Sequence, residues 1–552
     1  MAWSCLNPNL AKEFLNKLKS GEVDPNKLSE MSSKERHSFF AGFLGQENAA
    51  PVNALFESKL LLKDQQQGII TWAEQVAGMK PEVKRDIISR VQRMDKVLTP
   101  ETEAAFLADL AEKKLGMSVT MAEASHIAEL AKGVSEAKAK VAPDSKDFGP
   151  ERMKHGEAVV KFKNYMTELK ADANSAAYFE SLKNPLNIAS EVGGIAKSMN
   201  TTLDNSAIFR QGWKAMMTNP VIWAGNAINT FANIARTFGG KNVMDISNAR
   251  IVSSRNYDLA VKAKLAVATI EEDLPTSLPE KIPLFGRVYT AAEHAFTAFV
   301  HGLRMDIFSK HIDKFREAGV DVNDPVFLSG LGKVVNSLTG RGDLGVFEPA
   351  GKYINNFVFS SRAVKGQVDV WTGHLFDPKM SAQMKGLAAK NLLKIIAATA
   401  TLKVLAEQLQ PGSTEQDPRS SDSGKIKTEA NLLAVAIADG LGVSTNTYGG
   451  KTRFDITGGA GSVITLASRL ASGYTKTATG RLKKIDPMEA VGRFIENKAS
   501  PITAAAIALS RGKDRDKKPV NVTSAEGALN LLDILFTPMP IKSIRDNADK
   551  LQ

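Results

Sequence analysis

The sequence predicts an all-α protein, a multi-domain irregular helical bundle with at most a small β-hairpin near residues 445–460. Three observations carry that expectation. Ala, Leu, Lys and Glu dominate over 5 Trp, 7 Tyr and 25 Phe, and such side chains lose little rotamer freedom on a helix. Helix-start signals recur along the chain. Apolar residues fall at helical rather than alternating spacing through most of it.

The first part, residues 1–140, reads as a compact N-terminal helical domain. Ser32-x-x-Glu35 and Thr120-x-x-Glu123 fit the capping box, in which two side chains satisfy orphan amides of a first turn. Thr99-Pro100-Glu101 is a third start, with proline where its missing N–H does no harm. Phe14, Leu15 and Leu18, and likewise Ile87, Ile88 and Val91, give core-facing stripes. Residues 141–185 are expected to hold a linker and then a long helix from Glu151 towards Leu182; prolines, a glycine and mixed charge mark 138–150 as the break.

A central helical module is expected over 186–410, with its clearest helix from Leu284 to Phe315. Two stretches need a membrane check. Ala215–Ala235 carries no charge, but Pro220 and several amides interrupt it, and Asn226, Asn229 and Asn233 are spaced to share one face. Leu387–Leu409 is broken by Lys390, Lys394, Lys403 and Glu407. Both read as buried or interfacial helices rather than spans. Residues 411–552 form the C-terminal part: a Ser/Asp/Gly/Lys-rich exposed loop over 411–430, the hairpin built on Thr452–Thr457 between glycines, and further helices.

No enzyme chemistry is expected. Gly449-Gly450-Lys451-Thr452 lacks the first glycine of a phosphate-binding loop, since Thr445 stands there. His37, His126, His155, His294, His301, His311 and His374 are scattered, and neither His294/His301 nor Glu123/His126 completes a metal-ligand set. Glu101 and Glu103 belong to a first helical turn, where they complement the helix dipole. Cys5 is the single cysteine, which excludes an intrachain disulfide and a zinc finger and has no evident base beside it. Arg341-Gly342-Asp343 spells an adhesion tripeptide by chance in a Gly-rich turn. The expected sets of catalytic, cofactor and metal residues are therefore empty. The N-terminus lacks the pattern of a signal peptide, and a soluble chain is expected.

Net charge is +11 and the pI near 9.3. Such a surplus favours contact with anions, either nucleic acid or acidic headgroups. Its basic residues are dispersed, and no aromatics interleave the Arg511–Lys518 run to stack on bases. Non-specific DNA contact and transient contact with a membrane surface are the expectations.

Four stretches then suggest a family. They are Asp204–Gly212 with Thr218-Asn219-Pro220; Glu280–Arg287 leading through Glu293–Thr297 to Leu303–Asp306; Asn336–Gly345 with Phe357–Arg362; and Asp417–Ile426 with Thr452–Gly459. In that order the chain resembles the large polyvalent protein-associated domains of bacteriophage and mobile-element proteins. The resemblance implies a non-enzymatic phage protein, internal to the virion or ejected with the genome, that packs against other virion proteins and DNA. It places the chain first in the virion and then in the host cytoplasm, and implies no catalytic residue. An alternative is a DNA-binding or host-modulating protein acting in the host cytoplasm. The contact residues expected are Arg341 and Asp343 in the 339–345 turn, and Arg419, Asp422 and Lys425 in the 417–427 loop with Arg453, since charge and flexible backbone suit recognition loops.

Overall fold

In a computed structural model of the chain, the described residues are 23–76, 79–142, 145–181, 207–240, 242–267, 285–345, 361–430, 432–440, 445–448, 451–477, 480–514, 517–537 and 539–551, with a few single positions besides. Helix accounts for 71% of the chain and strand for 5%, so the fold is all-α with a small β element. Contacts divide it into two compact units, Met1–Tyr178 and Phe179–Gln552.

In the first unit the local start signals do what their chemistry requires. Helix α1 (Pro25–Glu30) is followed by α2 (Ser33–Leu44), α3 (Gln46–Gln75), α4 (Pro81–Gln92), α5 (Pro100–Leu115), α6 (Met121–Ala139) and α7 (Pro150–Ser181). Both capping boxes are closed: Ser32 N donates to Glu35 Oε2 at 2.8 Å, and Thr120 N to Glu123 Oε2 at 2.6 Å. Thr99 Oγ1 accepts from Thr102 N, with Pro100 as the first helical residue. Ile87 and Val91 are buried, together with Phe40, Ile69, Trp72, Leu107, Ile127 and Phe162. Two amides in α3 replace missing helix contacts: Gln65 both donates to and accepts from the Leu98 backbone, and Gln66 donates to Val91 O and Met94 O. The stripe at Phe14, Leu15 and Leu18 and the thiol of Cys5 lie outside the described residues.

The second unit begins with a π-helical turn (Ala207–Gln211), then α8 (Trp213–Thr218), α9 (Pro220–Phe238), α10 (Val243–Val252), α11 (Tyr257–Lys262), α12 (Phe285–Glu317) and α13 (Pro325–Leu338). After α14 (Ser361–Val368) comes a second π-helical turn (Asp369–Gly373), a single turn at His374–Phe376, and α15 (Ala382–Leu409). Its core joins Trp213, Phe299, Leu303, Phe308, Phe327, Leu331, Val335, Met384 and Ile395. The expected central helix is α12, and α9 packs along it.

The C-terminal part holds β1 (Lys425–Thr428), α16 (Leu432–Gly440), β2 (Thr445–Tyr448), β3 (Lys451–Asp455), α17 (Ala460–Ser472), β4 (Tyr474–Lys476), β5 (Leu482–Lys484), α18 (Pro487–Glu496), α19 (Pro501–Arg511), α20 (Ala525–Phe536) and α21 (Met539–Leu551). The predicted hairpin is β2–β3, in register with Tyr448 opposite Lys451. Its hydroxyls are internal: Thr447 and Thr452 hydrogen-bond at 2.9 Å, and Asn547 Oδ1 accepts from Thr447 N.

The β content exceeds the single hairpin expected. Strand β1 adds to β3 in an antiparallel sheet of order β1-β3-β2, and β4–β5 makes a second hairpin. The expected exposed loop at 411–430 is also corrected. Ser413 and Ser420 are buried, Lys427 N donates to Ser413 O, and Lys425–Thr428 is strand. Polar composition suggested solvent, but these side chains satisfy one another within the fold.

Candidate functional site

Buried polar side chains gather at the centre of the second unit. Lys214, on α8, is 1% exposed and donates to Ser337 O at 2.6 Å. Burial pushes its ammonium down to about 7, and nearby Asp369 opposes that shift. Asp369 opens the second π-helical turn, where Gly373 leaves room for its carboxylate: a Cβ there would stand 2.5 Å from Oδ1. Lys365 pairs with the same carboxylate. His374 is buried beside it, and burial depresses its imidazole to about 4. Arg304, fully buried on α12, donates to Thr339 Oγ1 at 2.9 Å and to Ala266 O at 2.6 Å. Such groups fix which helix faces which, since any slip would leave a buried donor unmatched.

Helix α9 carries a polar network. Asn226 donates to Asp306 Oδ2 at 2.8 Å, and Arg250 donates to both oxygens of that carboxylate. Gly302 makes room, because a Cβ there would come within 2.5 Å of Asn226 Oδ1. The face against α12 is thus Asn219, Asn226 and Thr230, at i, i+7 and i+11. The expected stripe of Asn226, Asn229 and Asn233 does not hold: Asn229 is exposed and Asn233 half-buried. The opposite face is apolar and open to solvent, with Val221 84%, Ile228 70% and Phe231 51% exposed. Ile222, Trp223 and Ala227 pack inward on the core as well, so α9 carries apolar side chains on both faces.

Four lysines gather at the N-terminal end of α9. Lys310 and Lys314 come from α12, Lys390 and Lys394 from α15, and all four act on the buried ring of His311. Burial, with these charges added, holds that imidazole down to about 4. Lys310 donates to Asn219 Oδ1 at 2.9 Å, and Lys394 to Thr218 O at 3.3 Å. Asn219 is the N-cap of α9, yet its side chain makes no capping bond to the helix. Its oxygen accepts from the lysine instead. Among the described residues, the charges acting on Lys394 are the other three lysines and no carboxylate.

The residues singled out as contacts are mostly spent on internal bonds. Arg341 is buried, and Gly342 N donates to Arg362 O where the backbones of Gly342 and Gly366 touch. Asp343 is exposed and lies 3.9 Å from Lys333. Arg419 forms a two-pronged pair with Asp417 through Nε and Nη2. Asp422 is shared by Arg453 at 2.9 Å, Lys427 at 3.5 Å and Lys425 at 3.9 Å. The structure brings Asp422, Lys425 and Arg453 together and leaves Arg341, Asp343 and Arg419 elsewhere. Of the six, Asp343 has the exposed side chain, and its Oδ1 accepts from Gly345 N at 2.8 Å.

His126 bonds Glu129 Oε2 at 3.2 Å, while Glu123 is taken by its capping box. Among the described residues no group of three or more His, Cys, Asp or Glu could hold a metal ion. Nor is any described helix long and apolar enough to cross a membrane.

The sequence reading missed Lys214, Asp369, Arg304 and the lysine group. One signal was available: Lys310/Lys314 and Lys390/Lys394 are each spaced i, i+4, so each pair shares a helix face. Nothing in the sequence brings the two pairs together.

Among the described residues, three of the four stretches touch one another, and the fourth meets Trp213 and Gln367 just outside them. Arg304 reaches Thr339, Gln211 packs at Gly340, and Gly458 lies against Trp213 while its carbonyl accepts from Gln367 Nε2. No known family, curated protein or solved structure matches the chain.

Proposed function

We propose that this chain is a non-enzymatic bacteriophage protein associated with the virion, internal or ejected with the genome, that works by packing against other virion proteins and DNA. The observation that carries the reading is a division of labour between polar and apolar groups. Several polar residues of the second unit, Lys214, Arg304 and Asp369 among them, are turned inward, while apolar side chains stand exposed in helical register. Leu433 and Ile437 on α16, Met488 and Ile495 on α18, and Leu529 and Leu532 on α20 are all at least half exposed. Repeated apolar stripes of this kind are covered by partners in an assembly. A surplus of positive charge suits a place beside packaged DNA.

Mass spectrometry of purified particles of the source phage, before and after genome release, tests this reading. Presence in full particles and loss from emptied ones is the expected result. Absence from both removes the virion role. The lysine group favours the alternative in that event, a DNA-binding or host-modulating protein in the host cytoplasm, whose affinity for duplex DNA would fall steeply with salt.

A further inference from the structure

We propose that the outward face of α9, together with Lys310, Lys314, Lys390 and Lys394 at its N-terminal end, docks onto the surface of an anionic phospholipid bilayer. This goes beyond a place in a particle and does not depend on it.

Helix α9 carries apolar side chains on its outward face as well as its inward one. A 19-residue helix in a water-exposed position ordinarily turns its polar face out. Helix α9 instead spends Asn219, Asn226 and Thr230 on the protein interior and leaves Val221, Ile228 and Phe231 outside. These three lie within one outward sector, at i, i+7 and i+10, and no charged residue interrupts the helix before Arg236. Leu393 on α15, beside Lys394 in the chain, is 67% exposed as well.

Charge selects the occupant. Four ammonium groups close to one another repel, and the fold holds two of them in place on consecutive residues, through Thr218 O and Asn219 Oδ1. The same lysine contact occupies the N-cap side chain, so the first-turn amides of α9 have no side-chain cap and the positive end of the helix dipole adds to the ammonium charge. None of the four lysines forms an ion pair among the described residues. An apolar strip ending in uncompensated lysines matches an interface in which acyl chains take the apolar residues and headgroup phosphates take the ammoniums. Nucleic acid would satisfy the lysines and leave Ile228 and Phe231 in water. A second copy of this chain would cover the apolar strip and set four lysines against four.

The test is sedimentation of the full chain with vesicles of phosphatidylcholine alone and of phosphatidylcholine mixed with phosphatidylglycerol. Binding to the mixed vesicles that weakens with salt, and little binding to phosphatidylcholine alone, is expected. Replacing Lys390 and Lys394 together with alanine should weaken binding about thirty-fold. Replacing Ile228 and Phe231 together with serine should weaken it at least about tenfold. The urea midpoint of each variant serves as the control for folding. Equal binding to both vesicle types, or variants that bind mixed vesicles as wild type does, overturns the proposal. So does loss of duplex DNA binding in the lysine variant with vesicle binding intact, which would make this a phosphodiester site. A wild-type dimer abolished by the serine variant, with vesicle binding unchanged, would assign the face to a second copy.

Discussion

Replacing Lys214 with methionine tests whether the polar centre of the second unit costs stability to maintain. Methionine keeps the unbranched stem and removes the ammonium. In the folded protein that ammonium is held down to about 7 from its ordinary 10.5, an interval equivalent to about 5 kcal/mol. The sign follows from linkage. Between these two values the unfolded chain binds the proton and the folded chain does not, so wild-type stability rises as pH increases from about 7 to about 10.5. The variant has no such group, and Asp369 keeps Lys365 as its counterion. Subtracting wild-type from variant stability should therefore give a difference that falls by up to about 5 kcal/mol across the window. Its starting value reflects the opposing losses of the charge penalty and of the bond to Ser337 O. Urea unfolding followed by tryptophan fluorescence reads this out, since Trp213, Trp223 and Trp371 belong to the same unit. Parallel pH profiles for variant and wild type would refute the reasoning, because Lys214 would then be titrating as it does in water.

Acid should weaken the second unit through His311 and His374, both depressed to about 4 by burial. Their stabilising effect is present above the unfolded value near 6.5 and is lost as pH falls towards 4, about 2 kcal/mol from each at pH ~5; a double glutamine variant that kept the wild-type acid slope in urea melts would contradict this. Gly458→Ala places a methyl against Trp213 at a φ of +56°, and thermal melts should show a loss of about 2–4 kcal/mol. Thr120→Ala opens a capping box and should cost about 1 kcal/mol, detected as a lower melting temperature of the first unit alone in calorimetry.

Legibility followed the distance between interacting residues. The boxes at Ser32/Glu35 and Thr120/Glu123 were readable because both partners lie within one turn. The β2–β3 hairpin was readable because two glycines sit between short alternating segments. Strand β1 was not: Lys425-Ile426-Lys427-Thr428 looks like loop, and the strand that pairs with it begins at Lys451. The Asp422–Arg453 pair was hidden in the same way. Asp422 and Arg453 are 31 positions apart, so the sequence displayed two free charges where the fold makes one ion pair.

The sequence by itself determined the helical class, most helix starts in the first unit and the positive surplus. These depend on local propensity, capping and composition, which neighbouring residues settle among themselves. Only the tertiary structure decided that Lys214 is sealed beside Asp369, that four lysines from two helices meet, and which apolar residues of α9 stay outside. A helical pattern specifies two faces but not which one meets the core. For α9 the half-buried carboxylate of Asp306, which Asn226 and Arg250 reach from their own helices, acts together with Ile222, Trp223 and Ala227 packing on the core.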